Sequence, residues 1–329
     1  MVFGKLSLTK KGLAMNKLIE KIKYYGLPGF YIALFVVKFY KYIMYNRLSD
    51  KSYLGKIFFR NQGYKLNLNA PLTLNEKLQW LKIHDRRDIS TIHADKYLIR
   101  EYIAKEFGVE YLIPLLFVTD DPLKIKYVNL PDEPFVIKSN HSSGDYQIIR
   151  DKKSIDFERL IVDCKWWLSF NYYYPGRQWQ YKNIKPLILV EKMLQTSEGK
   201  IPNDYKLHCI NGLVEFIYVS VDREGVNKRN IYDSNWMPIN FTYSAKTKQL
   251  KGNIRGEEIN PPKTLSKMIK FAEHIAKIYA YVRVDFYDID GKLYFGEITH
   301  HHGGGFDQFK PIEIDYKYGQ LLNLDYIKL

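Results

Sequence analysis

Cysteine is scarce in this chain: Cys164 and Cys209 are the only two, far apart and without metal-type spacing. That excludes a disulfide framework and a thiolate zinc site, and makes a reducing cytoplasm the expected setting. Each thiol reads as a small packed residue, and no Ser/His/Asp or Cys/His pattern signals a covalent nucleophile. Long hydrophobic runs are lacking too. The apolar stretch at residues 30–37, inside GFYIALFVVKFYKYIMY, is cut off by Lys38 and Lys41 and is too short to span a bilayer. No small-residue cleavage pattern follows it, which argues against a signal peptide. Acidic residues are in deficit, 36 Asp and Glu against 50 Lys and Arg, a formal net charge of +14. An anionic partner is therefore favoured, and charge alone does not choose among a nucleotide, a membrane surface and an acidic glycan.

What is present begins with size: 329 residues leave room for two or three subdomains around a substantial core. Tyrosine and phenylalanine, 28 and 18, suit sugar or base stacking and equally an A/T-biased genome. Basic residues from Lys5 to Lys23 precede the apolar stretch, and Arg47, Lys51 and Lys56 follow it. Two readings stay open there: an interfacial helix held on an anionic inner leaflet, or a helix packed on the main body.

The densest chemistry lies at residues 281–305, YVRVDFYDIDGKLYFGEITHHHGGG. Two apolar-rich runs flank Asp290-Gly291, a hairpin signal. A two-residue turn would send Asp285 and Glu297 to opposite faces. A three-residue loop, Ile289-Asp290-Gly291, pairs Asp288 with Lys292 and Arg283 with Glu297 and is the register predicted here. One face then carries Val282, Val284, Phe286, Tyr294, Gly296 and Ile298. The other carries Arg283, Asp285, Glu297 and Thr299, a seat for Mg²⁺ with bound phosphates, or simply the wet face of an edge hairpin. His300, His301 and His302 lead into Gly303-Gly304-Gly305, whose amides could cradle an anion. Neighbouring histidines rarely converge on one ion, so zinc ligation is the weaker reading.

Upstream, residues 73–85, TLNEKLQWLKIHD, read as a helix capped by Thr73 with Glu76 three positions on. A second helix is expected over 89–107, with Lys96 on its polar side. A strand over 111–118 comes next, then a short one, FVIK, which ends at Lys138 and leads into SNHSSGDYQII, the shape of a mobile lid over polyphosphate or of an ordinary turn. Residues 154–168 read as helix, and NYYYPGRQWQYKNIKP as a loop. LILVEKML turns polar at Glu191-Lys192, as strands lining a cleft do. Asn211-Gly212 between residues 203–210 and 213–221 is a strong hairpin signal, with Lys206 and His208 on one face of the first strand. Residues 264–278 read as an amphipathic helix. This mixture argues for an α+β fold with a nucleotide between two sheets.

Taken in order, TLNEKLQWLKIHD, ADKYLIREYI, PFVIKSNHSSG, YYYPGRQWQYKNIKP, LVEKML, NDYKLHCINGLVEFI, KRNIYD and VRVDFYDIDGKLYFGEIT resemble the TupA-like group of the ATP-grasp superfamily over about residues 72–315. The resemblance implies an ATP-grasp fold, with nucleotide held between two antiparallel-rich α+β subdomains. Residues 1–70 would form a basic helical extension, 71–133 a first subdomain, 134–195 the lid subdomain and 196–329 the metal-bearing one. It implies an ATP- and Mg²⁺-dependent carboxylate–amine ligase acting through an acyl phosphate and joining an amine to an acidic sugar in surface polysaccharide biosynthesis. By the same resemblance Lys138, Lys96 and, less securely, Lys206 contact ATP phosphates, and Ser142, Ser143 and Gly144 cover them. Glu191, Lys192, Met193 and Leu194 pair with adenine through their backbone, and Glu198 sits where many members hold the ribose. Asp285, Glu297 and Thr299 hold the metal, the last where many members carry Asn. Arg283 steadies the transferred phosphoryl group. Separately from the resemblance, the backbone amides around Gly303 to Gly305, Gly304 among them, are expected to stabilise the tetrahedral oxyanion. HHHGGG departs from the aromatic-proline-glycine segment of relatives. The alternatives are a sugar or glycan kinase and a membrane-associated glycosyltransferase or glycan-binding protein. The expected partners are ATP, an acidic sugar or polysaccharide precursor and an amine donor, with no nucleic acid. The expected place is the cytoplasm, with peripheral attachment at the inner face of the membrane as its variant.

Overall fold

The computed structural model describes residues 10–225, 228–244 and 255–326, the side chains of residues 10–13 and 46 excepted. Lys5, in the basic run, lies outside the described residues. Helices in chain order are α1 (Lys10–Ile22), α2 (Gly26–Asn46), α3 (Asp50–Gln62), α4 (Leu74–His84), α5 (Asp88–Ala94), α6 (Ile99–Glu106), α7 (Phe157–Leu168), the one-turn α8 (Tyr173–Gly176), α9 (Leu265–Ala276) and α10 (Glu313–Leu321). Strands are β1 (Leu115–Thr119), β2 (Phe135–Ser139), β3 (Tyr146–Ile149), β4 (Ile188–Lys192), β5 (Asp204–Ile210), β6 (Leu213–Val221), β7 (Lys228–Tyr232), β8 (Thr242–Ser244), β9 (Tyr281–Ile289), β10 (Lys292–Thr299) and β11 (Gln308–Lys310). They form two compact units.

The first unit comprises Met1–Tyr53, Pro114–Arg177 and Tyr181–Met193. Its antiparallel sheet has the order β1-β4-β2-β3. Period-two alternation in β2 buries Phe135 and Ile137 and leaves Lys138 on the opposite side. Leu160, Cys164 and Trp167 of α7 cover the buried face, and the Asp156 carboxylate caps that helix by accepting from the Arg159 N–H at 3.0 Å.

The apolar run at residues 30–37 proves to be the middle of a helix of 21 residues. Among the described residues it is the one helix, Gly26–Tyr45, long and apolar enough to cross a membrane by length and composition, so the expectation of a segment too short to span is corrected. Phe30, Ala33 and Val37, spaced one turn or two apart, nevertheless pack into the core of the unit. The same stripe ends at Lys41, whose Nζ lies 3.8 Å from the Phe170 ring centroid, and burial pulls its pKa down to about 8.

The second unit comprises Leu54–Ile113, Gln178–Gln180 and Leu194–Leu329. Its five-stranded antiparallel sheet has the order β10-β9-β5-β6-β7. One face carries Leu207, Ile217, Val282, Val284 and Phe286, packed under Ile99 and Ile103 of α6 and Met268, Phe271 and Ile275 of α9. On the other face, Phe216, Tyr218, Ile231 and Tyr281 pack with Leu74, Leu78 and Leu81 of α4 and with Tyr318 of α10. The turn at Asn211-Gly212 has positive φ at both residues, 48° and 85°, as a two-residue hairpin of this twist requires. The start of α4 is a capping box: Thr73 Oγ1 accepts from the Glu76 N–H at 3.1 Å, and Glu76 Oε2 accepts from the Thr73 N–H at 3.2 Å.

The helix expected over 89–107 is broken into α5 and α6. Asp95 Oδ1 accepts from the Tyr97 N–H at 2.8 Å and the Leu98 N–H at 3.3 Å, so the side chain takes amides that a continuous helix would have used. Lys96 sits on the resulting corner instead of along a helix face.

Candidate functional site

Alternation along β9 puts Arg283 and Asp285 on one side of the strand, and the arginine closes on its neighbour with a two-pronged contact: Nε to Oδ1 at 2.7 Å and Nη2 to Oδ2 at 2.7 Å. The pairing of β5 with β9 sets Lys206 opposite Asp285, and Lys206 Nζ reaches Asp285 Oδ2 at 2.8 Å and Asp204 Oδ2 at 2.5 Å.

The register of the β9–β10 hairpin differs from the predicted one. Asp290 and Gly291 do form a two-residue turn, with φ of 56° and 94°, and Ile289 faces Lys292. A bulge between Phe295 and Glu297 then shifts the strand by one residue, which sets Glu297 opposite Asp285 and Thr299 opposite Arg283. The carboxylates share a face because of the bulge, not because of a longer loop. The faces change accordingly: Leu293, Phe295 and Ile298 enter the core, and Tyr294 and Gly296 leave the apolar set. Gly296 allows the bulge, since a Cβ there would lie 3.0 Å from the Asp285 carbonyl oxygen and 3.2 Å from Tyr287 Cε2.

Two rows result, Lys206–Asp285–Glu297 and His208–Arg283–Thr299. Lys96 Nζ reaches Glu297 Oε2 from its corner at 3.2 Å, Arg283 Nη2 lies 3.3 Å from Glu297 Oε1, and Thr299 Oγ1 donates to the same oxygen at 3.5 Å. Three cations, Lys96, Lys206 and Arg283, thus face three carboxylates, Asp204, Asp285 and Glu297. Burial pushes Asp285 up from the usual carboxylate range, against the pull of Arg283 and Lys206. Burial acts the same way on Glu297, but Lys96, Arg283 and Lys206 outweigh it and hold the carboxyl at about 2. Burial opposes the charge on Lys206, and Asp204 and Asp285 more than restore it.

His208 lies beneath this layer between two tyrosines, with 2.8 Å from Nδ1 to the Tyr281 hydroxyl and 2.8 Å from Nε2 to the Tyr243 hydroxyl. Burial drives its pKa well below the usual imidazole range, so it is a neutral supporting group.

The triple histidine is buried. His300 Nε2 donates to the Ser90 carbonyl at 2.9 Å, and Gln180 Nε2 donates to His301 Nδ1 at 3.3 Å. Among the described residues neither ring nitrogen of His302 has a hydrogen-bond partner. The oxyanion role expected of Gly304 is corrected: its N–H already donates to the His301 carbonyl at 3.0 Å, and its carbonyl accepts from Lys82 Nζ at 2.5 Å and Gln79 Nε2 at 3.2 Å. Lys82 and Gln79 went unnoticed in the sequence, although they sit in phase with Leu78 and Leu81 on the inner side of α4. Burial drives the Lys82 pKa well below that of a free lysine. Asp204 was missed as well, and the polar alternation Asp204-Lys206-His208 was the available signal.

The remaining candidates divide between the two units. In the first unit Lys138 Nζ is 2.5 Å from Glu191 Oε2. The loop after β2 is pinned at one end: Asn140 Nδ2 donates to the Lys185 carbonyl at 3.0 Å, and Ser142 is buried with its hydroxyl 2.5 Å from that of Ser139. Only its tip, Ser143 and Gly144, is exposed. The Lys192 N–H donates to the Pro114 carbonyl and the Met193 N–H to the Pro134 carbonyl, both at 3.0 Å, so neither amide is spare for an adenine. Leu194 begins the last segment of the second unit, where Glu198 is exposed and paired with Lys200 at 2.7 Å.

An antiparallel sheet bearing facing carboxylates, a largely buried arginine and two lysines has the chemistry to hold a divalent cation and phosphates. The chain belongs to the TupA-like ATP-grasp family, whose model matches residues 76–323, and its fold is the α+β ATP-grasp fold. No curated protein matches the sequence. Similar solved structures include the D-alanine–D-alanine ligase of Bacillus anthracis, at 15% identity over 64% of this chain and 56% of that one with a TM-score of 0.38. The corresponding ligase of Helicobacter pylori has 14% identity over 76% and 67% with a TM-score of 0.40. The ATP-grasp ligase PsnB with its minimal precursor has 13% identity over 65% and 54% with a TM-score of 0.36. The chain spans just over half the length of the first of these.

Proposed function

We propose that the protein is an Mg²⁺-dependent ligase that uses ATP to activate a carboxylate as an acyl phosphate and passes the acyl group to an amine, modifying an acidic sugar of a surface polysaccharide. The observation that carries this reading is the row Lys206–Asp285–Glu297 with Arg283 beside it. The donor set fits the ion: two carboxylates share one face, and their charges together with that of Asp204 are balanced by three cations that can turn toward phosphate. Asp285 and Glu297 would hold Mg²⁺, with Thr299 as a neutral third ligand. When bound, the ion supplies charge neutralisation and orientation of the phosphates.

The chain's own groups do the rest. Lys96, Lys206 and Arg283 trade their carboxylate partners for phosphate oxygens and stabilise the negative charge of the phosphoryl group in transfer. On the family likeness alone, Lys138, Ser143 and Gly144 are assigned to ATP phosphates. The excess of basic residues suits an acidic sugar polymer as the acceptor.

The test is ADP release measured across panels of uronic acids and amino acids, with mass analysis of the product. A conjugate joined by an amide supports the ligase, a stable phosphate ester makes the protein a kinase, and failure to bind Mg-ATP by calorimetry removes the nucleotide reading altogether.

The bulge supplies a sharper test. Gly296→Ala presses a methyl group against the Asp285 carbonyl and moves Glu297 out of its row. Turnover is expected to fall ~10–100-fold with the fold retained. Unchanged turnover would mean that the alignment of the two carboxylates does not matter.

A further inference from the structure

One surface has no part in the proposed ligase chemistry. On the side of α2 away from the core, Tyr31, Ile32, Phe35, Val36, Phe39 and Tyr42 are exposed, Phe35 by 69% and Tyr42 by 66%, and Phe35 and Phe39 stack on each other 6.0 Å apart. At 100° per residue these six positions fill one continuous arc of the helix, opposite the buried Phe30, Ala33 and Val37. Met15 and Leu18 of α1 are also exposed. So are the cations around them: Lys17, Lys21, Lys38, Arg47 and Lys51. Residues 1–53 hold ten basic residues against two acidic, so a sixth of the chain supplies +8 of its net +14. An apolar arc bordered by cations matches the acyl boundary of a leaflet beneath anionic headgroups.

We infer that α2, together with the exposed side of α1, docks on a membrane leaflet rich in anionic phospholipid, with the helix lying in the plane of the interface. A spanning orientation would have to strip Phe30, Ala33 and Val37 from the core of the first unit. A purely packed helix has no use for six large apolar side chains in water. The inference is independent of the ligase reading.

The full-length protein is mixed with vesicles of phosphatidylcholine, alone or with phosphatidylglycerol, and sedimented. Binding to the anionic vesicles should exceed binding to the neutral ones by about tenfold or more, and weaken at about 1 M salt, where the screening length falls to ~3 Å. Phe35→Glu with Phe39→Glu should lower it about tenfold or more without changing the melting temperature, because both side chains stand in solvent. Lack of binding to either vesicle, or equal binding to both, overturns the inference. So does protein from native membranes that resists alkaline carbonate extraction, the behaviour of a spanning helix. Loss of self-association in the Glu variant, with no change in vesicle binding, would mean that the face meets a second copy of the chain instead.

Discussion

Asp285→Asn is expected to lower turnover by about two to three orders of magnitude and to destabilise the fold by about 3 kcal/mol. Asp285 is 2% exposed and accepts from both prongs of Arg283 and from Lys206. The amide that replaces it turns an N–H₂ toward one of those donors and leaves Arg283 with Glu297 and Lys206 with Asp204 as their remaining carboxylates. The stability loss comes from the anion those two largely buried cations lose, and the activity loss from removal of the proposed metal ligand. Glu297 is more open, its side chain 31% exposed. Glu297→Gln should therefore cost turnover on a similar scale with a smaller loss on melting, since its ion pairs with Lys96 and Arg283 are more exposed to water. ADP release and thermal unfolding of the two variants separate these effects. Wild-type turnover in Asp285→Asn would remove the carboxylate row from the chemistry.

Acidification should act through His93. It is 1% exposed, its Nδ1 lies 2.9 Å from the Tyr279 hydroxyl, and burial, helped by His300 and Arg87, lowers its pKa to about 3. The unfolded chain takes up a proton near pH 6.5, and the folded one does not until about 3. Stability from this group is present above pH 6.5 and is lost as pH falls through that window, by about 2–3 kcal/mol on reaching pH 4.5. Asp315 works in the opposite sense. Burial raises it to about 6 in spite of hydrogen bonds from Asn75, so the folded state binds its proton first, and stability rises as pH falls from 6 toward 4. Denaturant unfolding at pH 7.5 and 4.5 resolves the two. His93→Gln should flatten the acid loss, and Asp315→Asn should steepen it. If His93→Gln left the slope as it was, the imidazole would not be held neutral.

Much of this molecule was legible in the sequence wherever the cause is local. The capping box at Thr73 and Glu76 and the hairpin at Asn211-Gly212 follow from a few neighbouring residues, and the structure has both. The hairpin at Asp290-Gly291 was also legible, but its register was not. The carboxylates had to share a face for a metal site to exist, and a longer loop was the simplest way to achieve it. A glycine five positions into the returning run, Gly296, did so instead. Nothing local distinguishes a bulge glycine from an ordinary strand glycine, because the difference lies in what the opposite strand presents. The break at Asp95 was visible only as an aspartate in a helical pattern, where a side chain that captures two amides competes with the helix itself.

Sequence alone determined that Arg283 and Asp285 stand side by side, because alternation along a strand depends on nothing beyond the strand. It also determined that the N-terminal segment is basic and apolar. Only the tertiary structure decided which partners those residues meet. Lys206 reaches Asp285 through a strand pairing, Lys96 reaches Glu297 from a corner, and α2 is divided into a buried stripe and an exposed one. Each of these depends on groups brought together from distant parts of the chain, and packing energy, unlike backbone preference, is settled only when they meet.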